Sequence, residues 1–228
     1  MPFTVQQFFE VFGRYHAALW PAPVLLNVLA VLAIVLAWRG KEREGRLVSA
    51  ILSVLWGWMA VAYHAAFFTA INPAAWLFAA VFLLGAACLA WQGVARSRLR
   101  FTFRRDGWGW AGAGLIAYAL VAYPLLGLAL GHRYPETPTF GLPCPTTIFT
   151  IGLLLWAVPP MPRSVLVVPA LWAVVGSTAA FLLGVYQDLG LIAAAAAAVV
   201  AFFGRSQRRV RSTQTDGAEP GVEIRQRA

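Results

Sequence analysis

The fold class this sequence predicts is an all-α integral membrane protein: a compact bundle of about seven transmembrane helices, amino terminus outside and carboxy terminus cytoplasmic, with an N-terminal amphipathic interfacial helix. Three observations lead there. The 228 residues are 60% hydrophobic and only 12% charged, with a mean hydropathy of +0.69, whereas soluble domains carry about 25% charged residues. A water-soluble fold of this length has no core large enough to hide that apolar surface. The apolar residues fall in runs near the roughly 20 that cross a bilayer, and the positive charge gathers in alternate connections.

Taken in chain order, residues 3–19, FTVQQFFEVFGRYHAAL, come first. Thr4 followed by Gln7 reads as a capping box, Phe8, Phe12, Tyr15 and Leu19 recur at helical spacing, and Glu10 and Arg14 stand four apart. An interfacial helix over 4–19 is expected. The spans expected next are 22–38, 47–70, 74–92, 108–130, 146–161, 165–185 and 189–203. The fifth and seventh are short, about 24 and 22 Å at 1.5 Å per residue. Pro124 and Pro169 fall inside spans four and six, where proline kinks a helix. Residues 1–204 thus form one membrane domain, and 205–228, polar and without periodicity, read as a disordered basic cytoplasmic tail.

Orientation follows from the cations. Arg39, Lys41, Arg43 and Arg46 lie in the first connection, Arg96, Arg98, Arg100, Arg104 and Arg105 in the third, Arg163 in the fifth, and Arg205, Arg208, Arg209, Arg211, Arg225 and Arg227 in the tail. With seven spans these sixteen share one side and only Arg14 and Arg133 face the other. The positive-inside rule makes the crowded side cytoplasmic. The net charge of +9 does not indicate nucleic acid, because the arginines form short clusters between apolar runs and no nucleic-acid-binding motif accompanies them. Two cysteines are too few for a disulfide framework or a structural zinc site.

The polar residues left in the apolar domain are mostly on the outer side. His64 lies about two turns below the outer surface, where an ionisable ring needs a partner; Tyr63, Tyr118 and Tyr123 are at compatible depth. Cys144 stands between Pro143 and Pro145, with Thr146 and Thr147 leading into span five. Proline at the first helical position would put Cys144 near the N-cap, its sulfur facing free backbone N–H groups and the helix dipole. That setting favours the thiolate, which binds soft metals or attacks electrophiles. Cys144, His64 and His132 are therefore the candidate ligands for a soft metal ion. Glu10, His16, Tyr63, Asn72, Tyr123, Glu136, Thr146, Thr147 and Asp188 are further outward-facing candidates. The packing alternatives stand beside these: a neutral His64 bonded to a neighbouring carbonyl, and a cysteine that only fills space.

Several chemistries are closed off. A retinal protein needs a lysine in its last span, and the single lysine is Lys41 in a connection. No G-x-x-x-x-G-K-[ST], H-E-x-x-H or G-x-S-x-G string occurs.

At HRYPETPTFGLPCPTTIFTIG, with MPFTVQQFFEVFGRYHAALWPA at the start and AYHAAFFTAINPAAW between, the chain resembles a family of small bacterial multi-pass membrane proteins. That family is a domain of unknown function, sometimes loosely labelled permease, with FGLPCPTTIFT its most specific string. The resemblance implies a bacterial cytoplasmic (inner) membrane protein and transfers no site residue. Three functions are open: a transporter or sensor binding a small solute or soft metal ion at an outward-facing site; a membrane-embedded thiol or redox enzyme; and a non-catalytic subunit or scaffold. The lipid bilayer is the expected partner, together with a membrane protein or a second copy, and nucleic acid is not.

Overall fold

The computed structural model describes residues 2–215, of which 205–215 are described as backbone only. Among them the chain is all-helical: α1 (Val5–Ala18), α2 (Ala22–Arg39), α3 (Glu42–Ala70), α4 (Ala75–Ala95), α5 (Gly107–Ala129), α6 (Pro143–Leu155), α7 (Ser164–Leu182) and α8 (Gly190–Thr215). Six helices are long and apolar enough to cross a membrane, the sixth counted over Tyr186–Gly204. Their outward faces carry large exposed apolar side chains, such as Leu25, Val28 and Val35 on α2 and Leu171, Val174 and Phe181 on α7.

The bundle has two poles. At one, Trp38 stacks on Phe103, Phe101 pairs with Ala157, and the Arg163 guanidinium lies 5.3 Å above the Phe202 ring. The basic connections 39–46, 93–107 and 156–164 meet here. At the other, α1 lies across residues 131–142 and the turn between α7 and α8. His16 bonds to Pro135 and Thr139, and Phe8 and Phe12 cluster with Leu183 and Val185.

The fifth expected span, 146–161, is corrected in both bounds. Helix α6 begins at Pro143, ends at Leu155 and has 13 residues, about 20 Å at 1.5 Å per residue against a hydrocarbon core of about 30 Å. Its end has a physical cause. Beyond it the chain pairs with the basic connection before α5: Thr102 N–H donates to the Trp156 carbonyl at 3.0 Å and Val158 N–H to the Arg100 carbonyl at 2.7 Å. Every α6 side chain except Cys144 is buried, so this helix is the axis around which the long helices pack. It crosses α5 closely. A Cβ on Gly112 would stand 2.6 Å from the Gly152 carbonyl oxygen, and one on Gly152 2.9 Å from that of Gly112. Trp156 Nε1–H locks the crossing by donating to the Gly109 carbonyl at 2.9 Å. Small residues set this approach.

Helix α1 carries the expected capping box, with Thr4 and Gln7 each accepting from the other's backbone N–H. Glu10, however, accepts from Gln6 at 2.8 Å in place of the expected Arg14 pairing. The apolar face of α1 is buried in the protein itself: Phe8, Val11, Phe12 and Tyr15 sit on Tyr63 and Phe68. The helix is a packed cover on the bundle end.

Three long helices contain wide, π-type turns: Met59–Ala65 in α3, Ala90–Ala95 in α4 and Tyr118–Ala122 in α5. The last explains how Pro124 is tolerated. A proline ring clashes with the carbonyl four residues back, and here Tyr123 N–H reaches back five residues to Tyr118, which widens the turn before the proline. At the chain's end, helical backbone continues to Thr215 where the sequence places the start of the tail; an existing helix extends cheaply once nucleated. Residues 216–228 of that expected tail lie outside the described residues.

Candidate functional site

Beneath α1 the helices enclose a cavity of about 260 Å³. Its walls are aromatic, with Phe8, Phe12, Phe68 and Phe78 prominent, and its rim residues Pro2, Asn72 and Leu182 stand at the α1 pole. Besides Asn72 and Thr178, its polar lining groups come from five elements: Tyr63 and His64 from α3, Tyr123 from α5, Cys144 from α6, Trp172 from α7, and Asp188 from the turn before α8.

Two wide turns shape this lining. Tyr63 and His64 both belong to the Met59–Ala65 turn, and Tyr123 follows directly on Tyr118–Ala122. Such turns occur frequently at functional sites, since one extra residue re-aims the side chains around it. Asp188 is held by a short 3₁₀ turn, Tyr186–Leu189, that the Tyr118 hydroxyl fixes by donating to the Gln187 carbonyl at 2.7 Å. Gly190 allows it, because a Cβ there would strike the Tyr118 ring.

The polar groups form a stripe. Tyr123 hydroxyl donates to Asp188 Oδ1 at 2.5 Å. The Cys144 thiol lies beside Asp188 and Trp172, packed over Gly176, where a Cβ would stand 3.5 Å from Sγ and 3.3 Å from Trp172 Nε1. Trp172 meets the His64 ring with centroids 5.2 Å apart. Asp188 is 1% exposed and His64 0%. Both His64 nitrogens and Trp172 Nε1 lack a nitrogen or oxygen partner, and no ion pair among the described residues includes Asp188. Buried polar groups are ordinarily paired; the two His64 nitrogens are not, and Trp172 Nε1 has only the Cys144 sulfur beside it. His64 does not bond to a tyrosine as expected: Tyr118 and Tyr123 are spent on Gln187 and Asp188, and His64 is left among Phe68, Phe78, Phe82 and Trp172.

Cys144 is the second residue of α6, Leu142 being the N-cap. This shifts the expected placement by two positions and changes its chemistry. Pro143 and Pro145 carry no N–H, and Thr146 N–H is taken by the Leu142 carbonyl. The free donors that would draw charge to a sulfur at a helix start are thus largely missing. Gly141, left-handed at φ +97°, makes the turn into this helix, and its N–H is fixed by Thr146 Oγ1 at 3.1 Å.

The other candidates lie elsewhere. His132 does not join Cys144 and His64: the chain turns at Gly131, His132 N–H binds the Gly127 carbonyl, and its ring packs 4.3 Å from that of Phe9 on α1. No group of three or more His, Cys, Asp or Glu among the described residues could hold a metal ion, so the three-ligand soft-metal set is not assembled. Glu10 and Glu136 line an open surface depression with Arg14. His16 is structural. Pro135 carbonyl can only accept, so Nδ1 carries the proton at 2.6 Å, and Nε2 accepts from Thr139 Oγ1 at 2.9 Å. Burial holds its pKa below the usual histidine value, against a smaller upward pull from the Pro135 carbonyl. Thr147 is buried with its hydroxyl unpaired and does not reach the cavity.

The whole arrangement lies within one family's sequence. The chain belongs to DUF6064, a family of unknown function. That family's sequence model matches residues 5–213, from the start of α1 nearly to the end of α8, so every cavity residue from Phe8 to Asp188 lies inside the family's extent. No curated protein matches the chain, and no solved structure does. Polarity alone does not single out Trp172 or Gln187: an indole in an apolar run reads as packing, and Gln187 is one glutamine in a short connection. Only their missing partners, a three-dimensional property, distinguish them.

Proposed function

We propose that this member of DUF6064 is a seven-pass protein of the bacterial inner membrane, amino terminus outside, that binds a small solute in the cavity as a transporter or sensor. The observation that carries the reading is the unpartnered His64 ring, which shares a cavity of about 260 Å³ with the buried Asp188. An ionisable group in a membrane domain is a functional hypothesis by default. Orientation is supported by the gathering of the basic connections at one pole and the cavity at the other. The short α6 makes the fifth pass, completed by the chain at its two ends and buried on all sides within the protein, an arrangement membranes tolerate only for protein-buried segments. Exposed apolar side chains on the outer helices supply the lipid-facing surface.

Thiol labelling tests this. With Cys88→Ser, Cys144 is the sole cysteine. A small uncharged methanethiosulfonate added to intact cells is expected to modify Cys144, and Ala179→Phe, which fills the cavity, is expected to slow modification at least tenfold. Absence of labelling, or equal labelling in both proteins, would overturn the reading and leave the scaffold alternative.

A further inference from the structure

We propose that the solute is a small organic cation, an ammonium with an apolar body, whose charge sits against Asp188. This rests on the cavity being a solute site, and adds the charge and class of the solute. Asp188 is 1% exposed, and its side-chain neighbours are the Tyr123 hydroxyl and the Cys144 thiol, neither of them a cation. A buried carboxylate is costly unless a cation or several donors compensate it. The cavity lining supplies neither lysine nor arginine, and Arg14 and Arg133, the arginines at this pole, line other depressions. Two neutral donors, the Tyr123 hydroxyl and the Cys144 thiol, are what the protein itself offers this carboxyl, and a cationic ligand would supply the charge they lack.

The walls fit the same ligand. Phe8, Phe12, Tyr63, Phe68, Phe78 and Trp172 all line the space, and aromatic faces attract ammonium groups, most strongly when water is excluded. Phe68 and Phe78 are stacked with centroids 6.5 Å apart, and Trp172 meets Phe78 edge-on at 5.2 Å, so the rings form a continuous wall. The volume, about 260 Å³, falls under the roughly 300–1,000 Å³ of pockets for drug-sized ligands, which limits the ligand to a compact amine. The Trp172 N–H and the His64 ring, next along the stripe from Cys144, can bond a hydroxyl or carbonyl carried on that amine.

Cys144 reports the charge preference directly, because it lies beside Asp188. In the Cys88→Ser protein, an ethylammonium methanethiosulfonate and an uncharged methyl one are compared, each rate divided by that for a free thiol in the same buffer. The cation is expected to be favoured at least tenfold, and Asp188→Asn to bring the normalised ratio close to one. The ratio cancels any change in thiol reactivity common to both reagents. An independent readout on the purified protein is the thermal midpoint with choline against 3,3-dimethylbutan-1-ol, its uncharged carbon analogue; choline alone is expected to raise it. If the uncharged reagent labels Cys144 but the cation has no advantage while Asp188 is intact, and choline and its analogue act alike, the cation assignment falls while the cavity reading stands. If neither reagent reaches Cys144, the cavity reading itself falls.

Discussion

The two ends of this bundle are built on opposite rules. Near the basic pole the backbones touch: Gly112 of α5 against Gly152 of α6, and Gly45 and Gly109 against the Leu99 and Arg104 carbonyls of the connection before α5. Two ion pairs stand there, Arg39 with the buried Glu44 at 3.0 Å and Arg104 with Asp106 at 3.1 Å. Near the α1 pole the helices part around a cavity, and the buried polar atoms of His64, Trp172, Thr137 and Gln187 go unpaired. One half is close-packed; the other opens around a cavity lined by buried polar groups such as His64 and Asp188. Natural proteins tolerate such local departures mainly at functional sites.

The contrast can be broken by adding bulk to each half. Gly112→Val forces a side chain onto the Gly152 backbone, which cannot give way, and is expected to cost about 3 kcal/mol or more. At about 2–4 °C per kcal/mol for a chain of this size, the thermal midpoint in detergent should drop by roughly 10 °C. Ala179→Phe, placed in the cavity, is expected to lower it by less than about 3 °C on the same scale. Equal losses would mean that the two halves are packed alike.

Next in size is His64→Phe, with the opposite sign. It removes two buried nitrogens that have no partner and keeps a ring among rings. It should raise stability by about 1–2 kcal/mol, the cost of an unsatisfied buried polar group, while reducing the rise in thermal midpoint expected with choline. A midpoint that falls would show that His64 is satisfied within the fold.

How much of this could be read from the chain beforehand follows from which forces act locally. Composition and charge give the helical class, the pole of each basic connection and the capping box at Thr4. Cys144, His64, Tyr63, Asn72, Tyr123 and Asp188 could all be named from their polarity in apolar surroundings, and they do share the cavity. What polarity cannot give is contact. His132 looks like His64 in sequence but is drawn away by the turn at Gly131. The 13-residue length of α6 comes from pairing with Arg100 and Thr102, a segment far upstream in the chain. The wide turns have no local signature, except that Pro124 demands some relief one turn before it.

The smaller effects sharpen the comparison at the surface. His16 is held neutral by burial, its pKa below the ordinary value of 6.5. The unfolded or undocked chain therefore takes up a proton first, so docking of α1 keeps its full strength above about pH 6.5 and weakens as pH falls below it. Hydrogen-exchange protection in α1 and in residues 131–142, taken relative to the intrinsic rate at each pH, should be lower at about pH 5.5 than at about pH 7.5, and His16→Gln should flatten that dependence. A pH dependence that survives in the His16→Gln protein would assign the effect to another group. At the basic pole, Glu44→Gln removes the pairing with a half-exposed Arg39 and is expected to cost less than about 1 kcal/mol, with no effect on Cys144 labelling.

The wide turn at Met59–Ala65 sets the rotational phase of the cavity wall. It amounts to one residue more than a regular helix needs, and each residue of a regular helix turns the chain by about 100°. Deleting one residue there, such as Ala60, would return the turn to a regular helix: the segments on either side would keep roughly their facing, while the residues inside the turn would be re-aimed. His64 and Tyr63 would then face a different neighbour altogether. In this protein the aim of its buried imidazole is written in the count of residues before it, and a single-residue deletion would erase the site without touching one of its side chains.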